Sequence, residues 1–215
     1  MNASSQPQAL PPESRPVGQL VGESIRLYGR RFWASLALGL SLATINQIST
    51  GHRPGVQVLI LAAGAPLLTA SYIGACSIAY PGPPRRLWTA LLAGTLVWIP
   101  AAFLSLLYAL PAVAWLAFFG FVVPVAVVEG LPFRRLVGRS LELARADVVH
   151  ALGGLATFVL VFFVTHQVMI VLLHNQSDLA GRAALFATDL VLSPILFLGP
   201  ALLYTDQVAR GKVQA

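Results

Sequence analysis

The sequence predicts an all-α, polytopic membrane protein with six transmembrane helices arranged as three hairpins. Three observations support this class. Of the 215 residues, 57% are hydrophobic and only 10% are charged, whereas a soluble domain typically carries about 25% charged residues. Uncharged stretches long enough to cross a bilayer recur along the chain. The basic residues form short clusters beside these stretches, as in the cytoplasmic loops of membrane proteins.

The chain before the first span is expected to lie in the cytoplasm. Residues 1–20 are rich in Pro, Ser and Gln and have no apolar core. This composition argues against a cleavable signal peptide and predicts a disordered tail. An amphipathic segment follows, with Val21, Ile25 and Tyr28 on one face and acidic and basic residues on the other.

Six spans follow from the rule that about 20 apolar residues cross about 30 Å of hydrocarbon. The uncharged stretch from Leu87 to Val128 would form one helix about 63 Å long, so it must fold back. We expect its turn at Ala109-Leu110-Pro111. The predicted spans are residues 32–50, 56–80, 88–108, 112–128, 151–173 and 183–205. They lie in a membrane domain of residues 21–208, with a polar loop at 174–182 and a cytoplasmic tail at 209–215.

The basic residues also predict the orientation. Of the 14 arginines and lysines, only Arg53 and Arg182 fall on the outer side of the six-span arrangement. Because positive charge accumulates in cytoplasmic loops, both termini are expected in the cytoplasm. The protein is expected to cross the cytoplasmic membrane several times, and the resemblance described below implies a bacterial inner membrane.

Residues 133–148 predict an amphipathic helix in the headgroup layer, with apolar or small residues at helical spacing. Its basic residues are the candidate lipid-headgroup face: Arg134, Arg135, Arg139 and Arg145. Similar basic segments precede the first and third spans. An ancestral hairpin duplication and a pattern forced by topology both account for this similarity.

Two ionisable residues, His166 and Asp189, lie inside predicted spans, each about 10–14 Å from the last outer loop. They are expected to face each other, either as a structural pair that joins two helices or as part of a proton pathway. Asn46 is expected to hydrogen-bond a neighbouring helix. At the cytoplasmic side, Glu129 and Gly130 predict a capped exit turn with a local ion pair, for which Arg134 and Arg135 are the nearby arginines.

The sequence predicts neither an enzyme nor a cofactor or metal site. It contains no HExxH, P-loop, GxSxG or cysteine cluster, and Cys76 is its single cysteine. Asp206 is expected to pair with Arg210, four residues further on. The basic clusters beside apolar runs favour contact with anionic lipid headgroups, and nucleic-acid binding is not expected.

Several short motifs point to a known family. They are Pro-x-x-x-Val-Glu-Gly at 124–130, Arg-Ser-Leu-Glu-Leu at 139–143, Ser-Ile-Arg-Leu-Tyr at 24–28 and Leu-Tyr-Thr-Asp-x-x-x-Arg at 203–210. Together they resemble the bacterial six-helix membrane proteins related to the membrane domain of glycerophosphoryl diester phosphodiesterases, many of which are uncharacterised. Leu141 departs from the family pattern, which often has Trp there, and Ala146-Asp147 replaces a common Gly-aromatic pair.

The resemblance implies a membrane module without the separate phosphodiesterase domain. The expected function is therefore non-enzymatic: the protein associates with lipids or serves as a scaffold for a membrane partner. That partner is either another membrane protein or a second copy of the chain. The alternative function is a small transporter with its site at His166 and Asp189.

Overall fold

The computed structural model describes residues 10–173 and 178–214, which form helices joined by short turns, without any strand. A 3-10 turn at Pro12–Ser14 comes first. The helices are α1 (Val17–Arg30), α2 (Phe32–Ser49), α3 (Pro54–Ala63), α4 (Ala65–Ala79), α5 (Leu87–Leu104), α6 (Ala109–Phe119), α7 (Val122–Pro124), α8 (Phe133–Ala146), α9 (Val148–Leu173) and α10 (Asp178–Gln214). A π-helical turn, Val125–Glu129, follows α7.

Among the described residues, four segments are long and apolar enough to cross a membrane: α5, the run Ala109–Glu129, α9 and most of α10. The pair α3 and α4 forms a fifth if its 52° bend lies within one broken span. This bend follows Gly64, and Pro66 cannot donate the backbone hydrogen bond that a continuous helix requires. Helix α2 contains Asn46, Gln47 and three serines and is not among these span-capable segments. The structure therefore has four or five span-capable helices, and six spans in three hairpins stay a prediction.

The turn between the third and fourth predicted spans lies earlier than expected. Helix α5 ends at Leu104 and α6 begins at Ala109, so residues 105–108 make the connection. The prediction of a turn at 109–111 was wrong because it relied on Pro111. That residue occupies the first turn of α6, where proline is tolerated because no intrahelical partner for its nitrogen is needed.

Both predicted tails are ordered where the structure describes them. Within the predicted disordered segment 1–20, residues from 10 onward are described; Arg15 is mostly buried and Leu20 is fully buried. The predicted tail 209–215 continues α10 to Gln214. Composition is a poor guide at the N-terminal end, because a buried leucine and an ion pair order residues there. In the predicted outer loop, residues 174–177 lie outside the described chain, and residues 178–182 begin α10.

Helix α10 is the central element, since it packs against α1, α2, α4, α8 and α9. Its closest approach is to α2, where a Cβ on Gly39 would collide with the Leu190 carbonyl oxygen. Pro194 lacks the N–H that would otherwise bond this oxygen, so the carbonyl is available to a neighbouring helix. The Ser193 hydroxyl donates to the Asp189 carbonyl of its own helix at 2.6 Å, and its oxygen lies 3.3 Å from the Gly39 carbonyl oxygen, so α2 and α10 are in close contact here.

Candidate functional site

The first polar cluster, which joins α2, α9 and α10, contains the two residues predicted to face each other. Nδ1 of His166 lies 2.7 Å from Oδ1 of Asp189, a residue only 2% exposed. The Asn46 amide donates to Oδ2 of the same carboxylate at 3.0 Å. Because both carboxylate oxygens have partners, Asp189 is a satisfied buried group that connects three helices.

A cavity between α2, α3 and α5 reaches this cluster through Asn46. Its polar lining comes from Asn46, Ser49, Gln57 and Ser105. Asn46 therefore borders the cavity and bonds Asp189 at the same time. The arrangement places a buried carboxylate one side chain away from a polar opening in the bundle.

The second cluster forms at the predicted exit turn. Gly130 adopts a left-handed conformation with φ 70°, and its N–H bonds to the Val125 carbonyl, so the π-helical turn ends there. Nε of Arg139 lies 3.2 Å from Oε2 of Glu129, and the Tyr204 hydroxyl donates to Oε1 at 2.9 Å. The arginine that pairs with Glu129 is therefore Arg139, not the expected Arg134 or Arg135, which are exposed. Glu129 thus joins the end of one apolar segment to both α8 and α10.

The predicted lipid-headgroup face on α8 separates into two parts. Arg134, Arg135 and Arg145 are exposed. Arg139 instead lies between Glu129 and Glu142, with its Nη1 2.7 Å from Oε1 of Glu142. Partial burial lowers the pKa of the Arg139 guanidinium, but the two carboxylates raise this pKa by more, so it lies above its ordinary value.

Helix α8 also ends earlier than the predicted 133–148. Asp147 has extended backbone and accepts the His150 N–H at 2.9 Å through its carboxylate, so it caps α9 instead of continuing α8. The buried face of α8 consists of Leu136, Ser140, Leu143 and Ala144. Phe133 and Val137, two of the apolar residues that recur at helical spacing in this segment, lie outside this face and are exposed.

A third cluster, which no sequence pattern predicted, lies in the C-terminal part of α10. Asp206 is fully buried, with Oδ1 2.9 Å from Nη1 of Arg15 and Oδ2 3.2 Å from Nε2 of His150. Arg15 also contacts Glu23 at 3.2 Å. The expected pairing of Asp206 with Arg210 was wrong, because Asp206 lies on the buried face of α10 and binds residues distant in sequence.

Arg210 lies in the same region and pairs with a different acidic residue, Asp147. Its Nη1 lies 2.6 Å from Oδ2 of Asp147, and its Nη2 donates to the Arg15 carbonyl at 2.9 Å. Gln207, also buried, donates to the Asp147 carbonyl at 3.1 Å. These contacts join the N-terminal segment, the start of α9 and the end of α10 into one unit. The partners are far apart in sequence, so no local spacing pattern could have revealed them.

The fold and these clusters define a class: an all-α protein with four or five helices able to span a membrane and with buried polar clusters along its central helix. No family model, curated protein or solved structure matches the chain. Within residues 10–173 and 178–214, no group of three or more His, Cys, Asp or Glu side chains is arranged to hold a metal ion.

Proposed function

We propose that this chain is a non-enzymatic, six-pass protein of a bacterial inner membrane that binds anionic lipids at its cytoplasmic end. The observation that carries this proposal is the double attachment of α1 and α8 to the end of α10. The Arg15–Asp206 contact holds the segment before α1, and the Glu129 cluster holds α8. Two helices with basic outer faces are thereby fixed at one end of the bundle.

The exposed charges support the lipid assignment. Arg26, Arg30 and Arg31 are exposed on and after α1, and α8 exposes three arginines of its own. A fixed basic surface beside apolar spans fits the anionic headgroups of a cytoplasmic leaflet, where each Lys or Arg contributes about 1 kcal/mol. The motif resemblance to the six-helix proteins related to the phosphodiesterase membrane domain supports the same reading.

The interfacial aromatic residues support the proposed orientation. Trp33 and Trp88 are each 79% exposed, and each is the second residue of a helix, α2 or α5. Tryptophan favours the membrane–water boundary. In the six-pass arrangement both helices begin at the cytoplasmic boundary, so the two side chains occupy one interfacial belt.

Reconstitution of the full chain tests the proposal. Purified protein should retain phosphatidylglycerol in preference to phosphatidylcholine in native mass spectrometry, and a C-terminal reporter should remain cytoplasmic in cells. A protein without preference for anionic lipid would contradict the lipid-binding role. A reporter located outside the cytoplasm would contradict the six-pass orientation.

The alternative function is a small transporter, favoured by the Asp189 cluster. A satisfied buried carboxylate next to a polar cavity is a feature of ion and proton pathways in membrane proteins. If this alternative holds, proteoliposomes should show solute-dependent flux that is lost in Asp189→Asn. The matched control is Glu142→Gln, an exposed acid outside the membrane-spanning segments. Equal flux in Asp189→Asn and the unaltered protein would rule out a transport site at this cluster.

A further inference from the structure

A groove runs between α8 and the last turns of α10. Its volume is about 650 Å³, within the range of about 300–1,000 Å³ that ligand sites occupy. Small residues at Gly138, Ala146 and Gly211 line it. A Cβ on Gly211 would lie 3.7 Å from Cβ of Ala146, so the two helices approach closely at this point. The groove is a shaped depression between two helices that the second and third clusters hold in place.

The charges of this groove are unequal. Three cations, Arg139, Arg145 and Lys212, line it together with a single acid, Glu142. Arg139 already pairs with Glu142. Arg145 and Lys212 are exposed, and neither has an ion pair within the described part of the chain. The groove therefore presents two positive charges that no carboxylate of the described residues neutralises.

The groove also has an apolar wall. Leu141 and Leu143 contribute to it from α8, and Val208 contributes from α10. A free inorganic anion would gain nothing from these side chains, because their contribution depends on removing apolar surface from water. An anion attached to a hydrocarbon group would contact the cations and the apolar wall together.

The position of the groove relative to the exit turn at Glu129 indicates which hydrocarbon-bearing anion it would bind. The Tyr204 hydroxyl bonds Glu129, the residue at which the apolar run Ala109–Glu129 ends. In the proposed six-pass arrangement this contact lies at the cytoplasmic boundary. At 1.5 Å per residue, Val208 lies about 6 Å and Lys212 about 12 Å further along the helix axis. The headgroup layer is about 5–7 Å thick on each side of a bilayer, and a lysine side chain extends back toward it. In the proposed six-pass arrangement the groove thus opens in the headgroup layer, where lipid phosphates lie.

We infer that this groove binds a single anionic phospholipid, with Arg145 and Lys212 contacting its phosphate and Leu141 and Val208 contacting its glycerol and first methylenes. The inference rests on the proposed lipid-binding function and makes it specific. It places the high-affinity lipid site in the α8–α10 groove. Arg134 and Arg135 do not line this groove.

Two double variants of the full chain test this assignment, because they remove the same charge from exposed positions. Arg145→Gln with Lys212→Gln alters the groove, and Arg134→Gln with Arg135→Gln alters α8 outside it. Each protein in detergent is titrated with phosphatidylglycerol, and the fraction retaining one lipid is measured by native mass spectrometry. Circular dichroism confirms that each variant is folded. Detergent offers no bilayer surface to attract Arg134 and Arg135, and neither residue lines the groove. We therefore expect the groove variant to bind about thirtyfold more weakly and the control variant to change less than about threefold.

The possible results distinguish failure of the groove site from failure of the proposed lipid-binding function on which it rests. Equal weakening in both variants would overturn the groove site and leave a diffuse basic surface. Retention unchanged in the groove variant would also overturn it. An unaltered protein with no preference for phosphatidylglycerol over phosphatidylcholine would overturn the proposed function itself. Displacement of the lipid by millimolar inorganic phosphate would show that the groove takes free phosphate, which contradicts the assignment to a lipid.

Discussion

Replacement of Asp206 by asparagine tests the third cluster, because it removes one charge while preserving the size of the side chain. Asp206 is fully buried and is 2.9 Å from the guanidinium of Arg15, which is itself 9% exposed. The variant leaves the buried guanidinium without this carboxylate. Glu23, 3.2 Å from the same nitrogen, becomes the remaining acidic partner of Arg15.

The magnitude follows from these contacts. Breaking a buried ion pair by removing one partner costs about 3–5 kcal/mol. Glu23 stays beside Arg15, and the carbonyl oxygen of the introduced amide can still accept one hydrogen bond, so we expect a smaller loss of about 2–3 kcal/mol. In a chain of this size, each kcal/mol shifts the melting temperature by about 2–4 °C. Asp206→Asn should therefore melt about 5–10 °C below the unaltered protein.

The double variant Arg15→Gln with Asp206→Asn is the control for this reasoning. It replaces the ion pair by two neutral, hydrogen-bonding groups, and such replacements of buried pairs are often nearly neutral. We expect the double variant to recover most of the stability lost in Asp206→Asn, as measured by thermal unfolding in detergent. Hydrogen exchange should show faster exchange at the start of α1 in the single variant only. Melting temperatures that simply add in the double variant would refute the proposed coupling.

Two further predictions concern helix packing. Gly39→Ala should destabilise the protein by about 1–3 kcal/mol, because its Cβ would collide with the Leu190 carbonyl oxygen. The control is Gly153→Ala, whose Cβ would meet nothing within 4 Å; it should be neutral or slightly stabilising in thermal unfolding in detergent. Equal losses of stability in the two variants would disprove the close contact at Gly39. Tyr204→Phe should cost about 1–2 kcal/mol by removing a hydrogen bond to a carboxylate. Tyr108→Phe, at a residue 79% exposed, should change the free energy of unfolding by no more than about 0.5 kcal/mol, and a similar effect of both substitutions would contradict the role of the hydroxyl.

The sequence predicts best those features that depend on regular helix geometry. His166 and Asp189 lie close together in the structure, and their approach could be anticipated because residues at equal distances from a shared loop lie at equal depths in a hairpin. The third partner, Asn46, belongs to a helix far away in sequence. The hydrogen bond from Asn46 to Asp189 depends on how α2 packs against α10. Residue spacing along the sequence does not predict that packing.

The missed features depend on contacts between distant parts of the chain or on weak local signals. Arg15 and Asp206 are separated by 191 residues, so neither residue carries a sequence pattern that points to the other. The turn at 105–108 contains little polar sequence, and Pro111 gave a stronger but misleading signal. The N-terminal segment has a composition typical of disorder, yet a buried leucine and one ion pair order its later residues.

The contact between Arg15 and Asp206 also has a consequence for biogenesis. Because Asp206 is made 191 residues after Arg15, the N-terminal segment cannot take its final position until the last helix has been synthesised. At about 5–20 residues per second, this interval lasts about 10–40 s. During that time Arg15 and the basic face of α1 remain available to lipids or insertion factors. Closure of this contact would then show that α10 has been made as far as residue 206, and a product truncated before residue 206 would expose an undocked N-terminal segment to cellular proteases.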